Sequence, residues 1–417
     1  MKLLVIGSGG REHAIVWKLL QSSQIEKIYC IPGNGGIENL AECISGEVED
    51  IDFLVSFAKK NKIDLTIVGP ELPLTLGIVD AFQKEGLKIF GPTEKAACLE
   101  GSKSYAKAFM KKYHIPTAEY IDTQDMQQAL NSLNKFSYPL VIKADGLAAG
   151  KGVVIVHNEI EARDVITEMM EDEIFGKAGK KVVIEEFLEG KEISLLVFLH
   201  QKGFVPMITA QDYKRALDQD KGLNTGGMGA ISPSPIYNNQ MRKRILEEIL
   251  FPTFKGIQKE NLEYRGVLYF GLMITRQGPK VLEYNVRFGD PETQVILPRL
   301  ESDLVDIMEK VIEDRLEEGD LQWKEEKALT VVLTSGGYPE SYEKGKLITG
   351  LDDKGEKMIF HSGTIKKDGK YYTNGGRVLS ITHLGNTLEE AAGKVYQEIS
   401  KIHFDNMYYR KDIGKFS

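Results

Sequence analysis

At 417 residues, 42% of them hydrophobic and 27% charged, the chain has the composition of a globular protein too long for one ordinary core, so two to four domains are expected. Its 53 basic and 61 acidic residues leave a formal charge of -8, which provides no global field for nucleic acid or an anionic membrane. An anionic ligand therefore needs a local pocket. Cys30, Cys43 and Cys98 lack the close spacing of a zinc site or disulfide framework, so reduced thiols are expected. The apolar start, Met1 to Ile6, is too short for a signal peptide, and no apolar run reaches membrane-spanning length. The expectation is a cytoplasmic monomer with small-molecule partners and no nucleic-acid or membrane partner, ending at Ser417 with one activity and no fused second enzyme.

The first hundred residues alternate short β-branched runs, Lys2 to Ile6, Lys27 to Cys30, Asp64 to Val68 and Leu87 to Phe90, with helical patterns. That rhythm predicts a doubly wound parallel sheet over residues 1–101, with ligands outside the carboxyl ends of its strands. Each run ends in a turn: Gly7-Ser-Gly-Gly10, Pro32-Gly-Asn-Gly-Gly36, Gly69-Pro-Glu71 and Gly91-Pro-Thr93.

From Ser102 the pattern becomes α+β, over residues 102–325. Strands are expected at Tyr138 to Lys143, Val153 to Val156, Val182 to Phe187, Val267 to Ile274 and Lys280 to Val286. Helices are expected at Glu159 to Glu171, Asn239 to Lys259 and Ser302 to Glu318. A third, smaller α+β unit, 326–417, opens with the strand Ala328 to Thr334 and closes with the helix Leu388 to Ile402.

Several of these turns can carry chemistry. Gly7-Ser-Gly-Gly10 presents backbone N–H groups at a helix start, a site for one phosphate, with Arg11 and Glu12 at its mouth. A dinucleotide fingerprint is disfavoured, because Glu12 stands where a third small residue belongs and the second strand ends in Cys30-Ile31 without an acid. A tight turn without ligand competes. Lys143 ends an apolar strand before the loop Asp145-Gly-Leu-Ala-Ala-Gly-Lys-Gly152, which suits a polyphosphate but is not a Walker loop. In Val182 to Gly190 the backbone could pair with a purine edge, with Glu192 on ribose, although an amphipathic strand with solvated acids is the better reading without context. Asn224 to Ala230 could form an anion nest. Asp212 to Arg215 by itself reads as a solvated face, His13 as a helix residue, and Arg377 as part of a hairpin turn, with a place facing the cleft as its less favoured alternative. The seven histidines suggest neither a zinc site nor a hydrolase triad.

The densest signal is Val281-Leu-Glu-Tyr-Asn-Val-Arg-Phe-Gly-Asp-Pro-Glu292, where strand alternation places Glu283, Asn285 and Arg287 on one face and Leu282, Tyr284 and Val286 on the other. A carboxylate beside an amide oxygen suits Mg2+ bridging to nucleotide phosphates, and Arg287 suits an anionic group. A solvated edge strand weighs equally on this segment alone.

Together, in order, the segments 7–13, 32–36, 69–71, 143–152, 224–230 and 287–292 resemble the glycinamide ribonucleotide synthetase family of ATP-grasp ligases over nearly the whole chain. The resemblance implies an ATP-grasp fold in the central unit with a mobile lid at about 119–188. It implies ATP with Mg2+ or Mn2+, held by Lys103, Lys143, Gly150, Lys151, Glu185, Glu186, Phe187, Leu188 and Glu192. Glu283 and Asn285 would be the metal ligands; the strand before them, Val267 to Met273, has no further acid, so ATP and water would complete the shell. Glycine's carboxylate would meet Arg287, braced by Asp290, with Lys143 also catalytic. Gly9, Gly10, Arg11, Glu12, Pro32, Gly33, Asn34, Gly36, Pro70, Glu71, Asp212, Lys214 and Asn224 would bind substrate. The implied reaction forms glycyl phosphate, which the amine of 5-phosphoribosylamine converts to an amide. Competing readings are an ATP-grasp relative acting on bicarbonate or formate, a nonenzymatic nucleotide-dependent regulator, and a nicotinamide oxidoreductase.

Overall fold

The computed structural model describes residues 1–148, 152–172, 174–351 and 358–415. Lys2–Gly7, Lys27–Pro32, Leu65–Val68 and Ile89–Pro92 are parallel strands, and the first lies between the second and third. Their apolar runs are buried on both faces, as crossover helices require. The chain reverses its winding between Lys2–Gly7 and Leu65–Val68, which leaves a crevice at their carboxyl ends.

This sheet does not stop at the expected boundary near residue 101. Ile89–Pro92 pairs antiparallel with the start of Tyr264–Thr275, and through it with Lys191–His200, Gly203–Pro206 and Gly278–Asn285. Among the described residues this makes one sheet of nine strands. The crevice at the carboxyl ends of the parallel strands and the strand carrying Glu283 thus belong to one sheet.

A separate antiparallel sheet, Tyr120–Thr123, Val182–Glu186, Leu140–Ala144 and Val153–Val156, has its own small core under the helices Met126–Ser132 and Glu159–Met170. This four-stranded unit, the lid segment of the sequence reading, lines a cleft together with Gly278–Asn285. The last unit packs helix Leu388–Ile399 on Lys327–Thr334 and Arg377–Gly385, and its sheet continues into Gly229–Ser232 and Gln211–Asp212.

Two helices differ from expectation for local reasons. The helix over 239–259 passes through a π turn at Leu246–Leu250, next to Pro252, which has no N–H to continue the α pattern. The helix expected over 302–318 spans only Leu304–Ile312, capped by Asp303 and followed by Asp314 at φ 56°. Among the described residues, no helix is long and apolar enough to cross a membrane.

Candidate active site

The strand Gly278–Asn285 delivers its polar residues into a cleft between the nine-stranded sheet, the lid and the last unit. Its alternation is interrupted. Gly271 faces Glu283 while Leu272 faces Val281, so Leu282 is a bulge residue. Leu282 therefore does not join Tyr284 and Val286 in the core, as strict alternation predicts, but is half-buried and lines the cleft beside Glu283.

Two cavities meet there. One, of about 430 Å³, is lined by Arg11, Pro70, Glu71, Asp290, Arg287 and Arg377 among others. The other, of about 600 Å³, is lined by Phe187, Leu188, Glu192, Asn224, Met273 and Ile155 among others. Lys143, Glu185, Asp212, Lys214, Leu282 and Glu283 border both. The second has the flat apolar walls that a purine needs, from Leu188, Met273 and Leu282 on one side and Val141, Val153 and Ile155 of the lid on the other.

Charge is concentrated where the cavities join. Burial would raise the Glu283 pKa, but Lys214, Lys143 and Lys103 outweigh it and hold the carboxyl below its ordinary value. Glu283 is ionised, and its side chain is 38% exposed to the cleft. Lys214 lies 2.9 Å from Glu192 and 3.9 Å from Glu283, a chain of alternating charge along the wall. Burial pushes Asp212 up to about 8 against the pull of Lys214, with Glu292, Glu192 and Glu283 adding to the rise. Lys103 Nζ donates to Gly146 O at 2.9 Å, which ties the start of the lid's glycine loop to the helix Lys103–Lys112.

Arg287 is held by two acids. Its Nη2 donates to Glu100 Oε1 at 2.9 Å and its Nε to Glu71 Oε2 at 3.2 Å. Burial disfavours the guanidinium charge, but Glu100 and Glu71 more than restore it. Asp290 does not brace Arg287, contrary to the sequence reading. Its carboxylate accepts instead from Arg377 Nη2 at 3.1 Å and Gln294 Nε2 at 2.8 Å. Arg377 is thus more than a turn residue: it also donates to Gly226 O at 2.5 Å and lines the acceptor cavity.

The amino-terminal loops are more committed than their glycines suggest. Glu12 is buried, and its carboxylate accepts from Gly9 N and Arg11 Nε, both at 2.5 Å, so Gly9 does not offer a free amide. A Cβ on Gly69 would overlap the Glu12 carboxylate, which explains both that glycine and the departure from a dinucleotide fingerprint. Asn34 spends its side chain on Ser8 O, His361 O and the N–H groups of Gly36 and Ile37. A Cβ on Gly10 would come within 2.7 Å of Ser362 and Gln294, and Gly33 takes a φ of +74° against Cys43. Gly9, Gly10, Glu12, Pro32, Gly33, Asn34 and Gly36 therefore do not line either cavity, whereas Arg11, Pro70 and Glu71 do. Gly150 and Lys151 lie outside the described residues.

Three cleft residues escaped the sequence reading, and a fourth, Arg377, reads there chiefly as a turn residue. Glu100 accepts from Val286 N at 2.6 Å, and Asn285, with its amide turned to suit its neighbours, donates to Glu100 Oε1 at 3.0 Å. Glu292 accepts from Ser194 Oγ at 2.9 Å. Lys107 and Arg377 complete the set. Lys107 had a legible signal, because it follows Lys103 by four residues on one helix face; Glu100 had none beyond being an acid among small residues.

Among the described residues, no three His, Cys, Asp or Glu come together as a protein-built metal cage. Glu283 and Asn285 nevertheless fit a hard cation that keeps most of its shell from phosphate and water. One is an ionised oxygen donor, and the other uses its amide nitrogen on Glu100, which leaves its oxygen as the group for a cation.

Residues 1–100, 101–293 and 328–416 match the family described as phosphoribosylglycinamide synthetase, by its N domain, its ATP-grasp (A) domain and its C domain respectively. The chain is 52% identical over 414 residues to a phosphoribosylamine–glycine ligase of Caldanaerobacter subterraneus subsp. tengcongensis, covering 99% of each chain. It superposes on the crystal structure of a phosphoribosylamine–glycine ligase of Thermotoga maritima with a TM-score of 0.87 at 37% identity, covering 99% of this chain and 100% of that one. A biotin carboxylase domain of Hydrogenobacter thermophilus 2-oxoglutarate carboxylase, at 16% identity and a TM-score of 0.75, covers 98% of this chain and 91% of its own and shares the fold. The chain belongs to the phosphoribosylamine–glycine ligase family of ATP-grasp, ADP-forming ligases.

Proposed function

We propose that the two joined cavities divide this family's reaction between them, with ATP in the larger and glycine and 5-phosphoribosylamine in the smaller. The observation that carries this reading is the position of Glu283 and Lys143 on the wall common to both. Adenine lies between Leu188, Met273 and Leu282 and the lid residues Val141 and Ile155, along Glu185 to Leu188, with Glu192 toward ribose. The triphosphate points to Lys103 and Lys143. Bound Mg2+ or Mn2+, at Glu283 and Asn285, supplies neutralisation of phosphate charge.

Arg287, kept charged and fixed in orientation by Glu71 and Glu100, receives the glycine carboxylate. One carboxylate oxygen attacks the γ-phosphorus, ADP leaves, and glycyl phosphate forms. The amine of 5-phosphoribosylamine then attacks the glycyl carbonyl, phosphate departs, and the nitrogen sheds a proton as the amide forms. Arg11 and Arg377 are the cations left for the phosphoribosyl group. No protein nucleophile takes part; positioning and charge neutralisation lower the barrier. The lid excludes water, which would hydrolyse the acyl phosphate. We further infer that one chain suffices for the reaction, because described residues of one chain line both cavities.

Glycine labelled with 18O in its carboxylate tests the intermediate. Transfer of one labelled oxygen to inorganic phosphate is expected, and unlabelled phosphate would contradict it.

A further inference from the structure

Beneath the junction of the two cavities, two lysines share one carboxylate oxygen. Lys107 Nζ lies 3.1 Å and Lys143 Nζ 2.9 Å from Glu185 Oε2. All three side chains are buried, at 2%, 8% and 2% exposure, so the cluster places two cations and one carboxylate out of bulk water. The other oxygen, Glu185 Oε1, is buried and has no hydrogen-bond partner.

The lysines differ in how firmly they are held. Lys107, on the helix Lys103–Lys112, also donates to Thr117 Oγ1 at 2.8 Å and faces Ala118 O at 3.5 Å, which accounts for its three N–H donors. Thr117 is itself anchored to Val281 O at 2.6 Å. Lys143, on the lid strand Leu140–Ala144, makes besides its bond to Glu185 a long contact of 3.4 Å to Leu282 O among the described residues. Among the described residues Lys107 is the more tightly held cation of the two. Burial draws the Lys107 pKa down to about 8 while Glu185 resists, so the ammonium form depends on that carboxylate.

We propose that Lys107 is a positioning residue for nucleotide binding: it satisfies Glu185 by itself, so that Lys143 can leave Glu185 for the ATP phosphates without stranding a buried carboxylate. Leaving a buried charge unpaired is strongly unfavourable, and a fixed second cation removes that penalty from the binding step. Lys107 touches no phosphate; it acts through Glu185 and Lys143. The same contact ties the helix to the lid strand Val182–Glu186, so the cation is in place whenever the lid covers the cleft. The proposal rests on the assignment of ATP to this cavity, which a rise in KM for ATP without a rise in KM for glycine in Leu188→Trp, a residue lining that cavity alone of the two, checks separately.

A double-mutant cycle on the full-length enzyme tests it, with KM for ATP, KM for glycine and kcat as readouts. Lys107→Met should raise KM for ATP at least tenfold while KM for glycine stays within twofold. In the Glu185→Gln background the carboxylate is gone, and Lys107→Met should then change KM for ATP by less than threefold. Lys107→Arg, which keeps a cation, should retain most of the ATP affinity. An unchanged KM for ATP in Lys107→Met overturns the proposal, as does an equal loss in both backgrounds. Should Lys107→Met not fold, the comparison of Glu185→Gln with Lys107→Met/Glu185→Gln decides alone: a further rise in KM for ATP of tenfold or more overturns it, and near-equality supports it.

Discussion

Arg287 Nη2 donates to Glu100 Oε1 at 2.9 Å, and the backbone N–H just before Arg287, that of Val286, donates to the other oxygen of the same carboxylate at 2.6 Å. One acid from the end of the helix Glu94–Gly101 thus fixes both a guanidinium and the backbone that carries it. Asn285 adds a third contact to the same group.

Glu100→Gln keeps the shape but replaces one acceptor oxygen with a donor, which must then face Val286 N–H or the Arg287 and Asn285 donors. Each hydrogen bond to a charged group contributes roughly 1.5–3 kcal/mol, so a fall of about 10- to 100-fold in kcat/KM for glycine is expected. Steady-state kinetics with glycine varied checks this; a change confined to ATP would place Glu100 elsewhere in the mechanism.

Glu283→Gln removes the ionised oxygen at the join of the cavities. ADP formation should fall by at least about 100-fold, by analogy with the loss of other preorganised charge-stabilising groups, while circular dichroism and the thermal midpoint stay close to those of the unmodified enzyme. Near-normal turnover in a folded Glu283→Gln enzyme would sink the assignment of the metal to this strand.

Gly69→Ala places a methyl against the Glu12 carboxylate, which Gly9 and Arg11 already hold. Overpacking of this kind costs about 1–3 kcal/mol, to be read as a lower denaturation midpoint. Gly86→Ala, where the space is open but φ is +69°, should show only the backbone cost of a left-handed alanine.

The last unit docks on the first through a buried histidine pair, with His361 N donating to His13 Nδ1 at 2.8 Å. Burial, helped by Lys366, pushes His361 down from 6.5 to about 4, and His13 is lowered as well by burial and His361. Both are neutral in the fold and take up protons on unfolding. Their contribution is therefore present above about pH 6.5 and is lost as pH falls from there through 4. At pH 5 the loss from His361 alone is on the order of 2 kcal/mol. Thermal melts between pH 7.5 and 5 should show a steep decline that His361→Gln makes shallower; parallel curves for both proteins would contradict this.

Much of the site was legible because its residues follow local rules. Glu283, Asn285 and Arg287 recur every second position, and the parallel strands of the first unit announce themselves as β-branched runs ending in glycine turns. Leu282 was misplaced because a bulge depends on the partner strand, here on the pairing of Gly271 with Glu283 and of Leu272 with Val281. The partners of Arg287 and Asp290 were hidden for a related reason. Glu71, Glu100 and Arg377 lie 216, 187 and 87 residues away from them, and no local pattern encodes such pairings. The turn of Asn34 and Gly36 holds Ser8 O and His361 O, and sequence alone does not separate it from a phosphate turn, because both share the same backbone needs.

The most direct measurement is ADP release from ATP and Mg2+ by the purified enzyme with glycine and 5-phosphoribosylamine, beside reactions that replace glycine with bicarbonate or formate. The account predicts stoichiometric ADP and glycinamide ribonucleotide with glycine alone among these acids. ADP release that depends on bicarbonate or formate, or ATP binding without turnover for any of them, would contradict it.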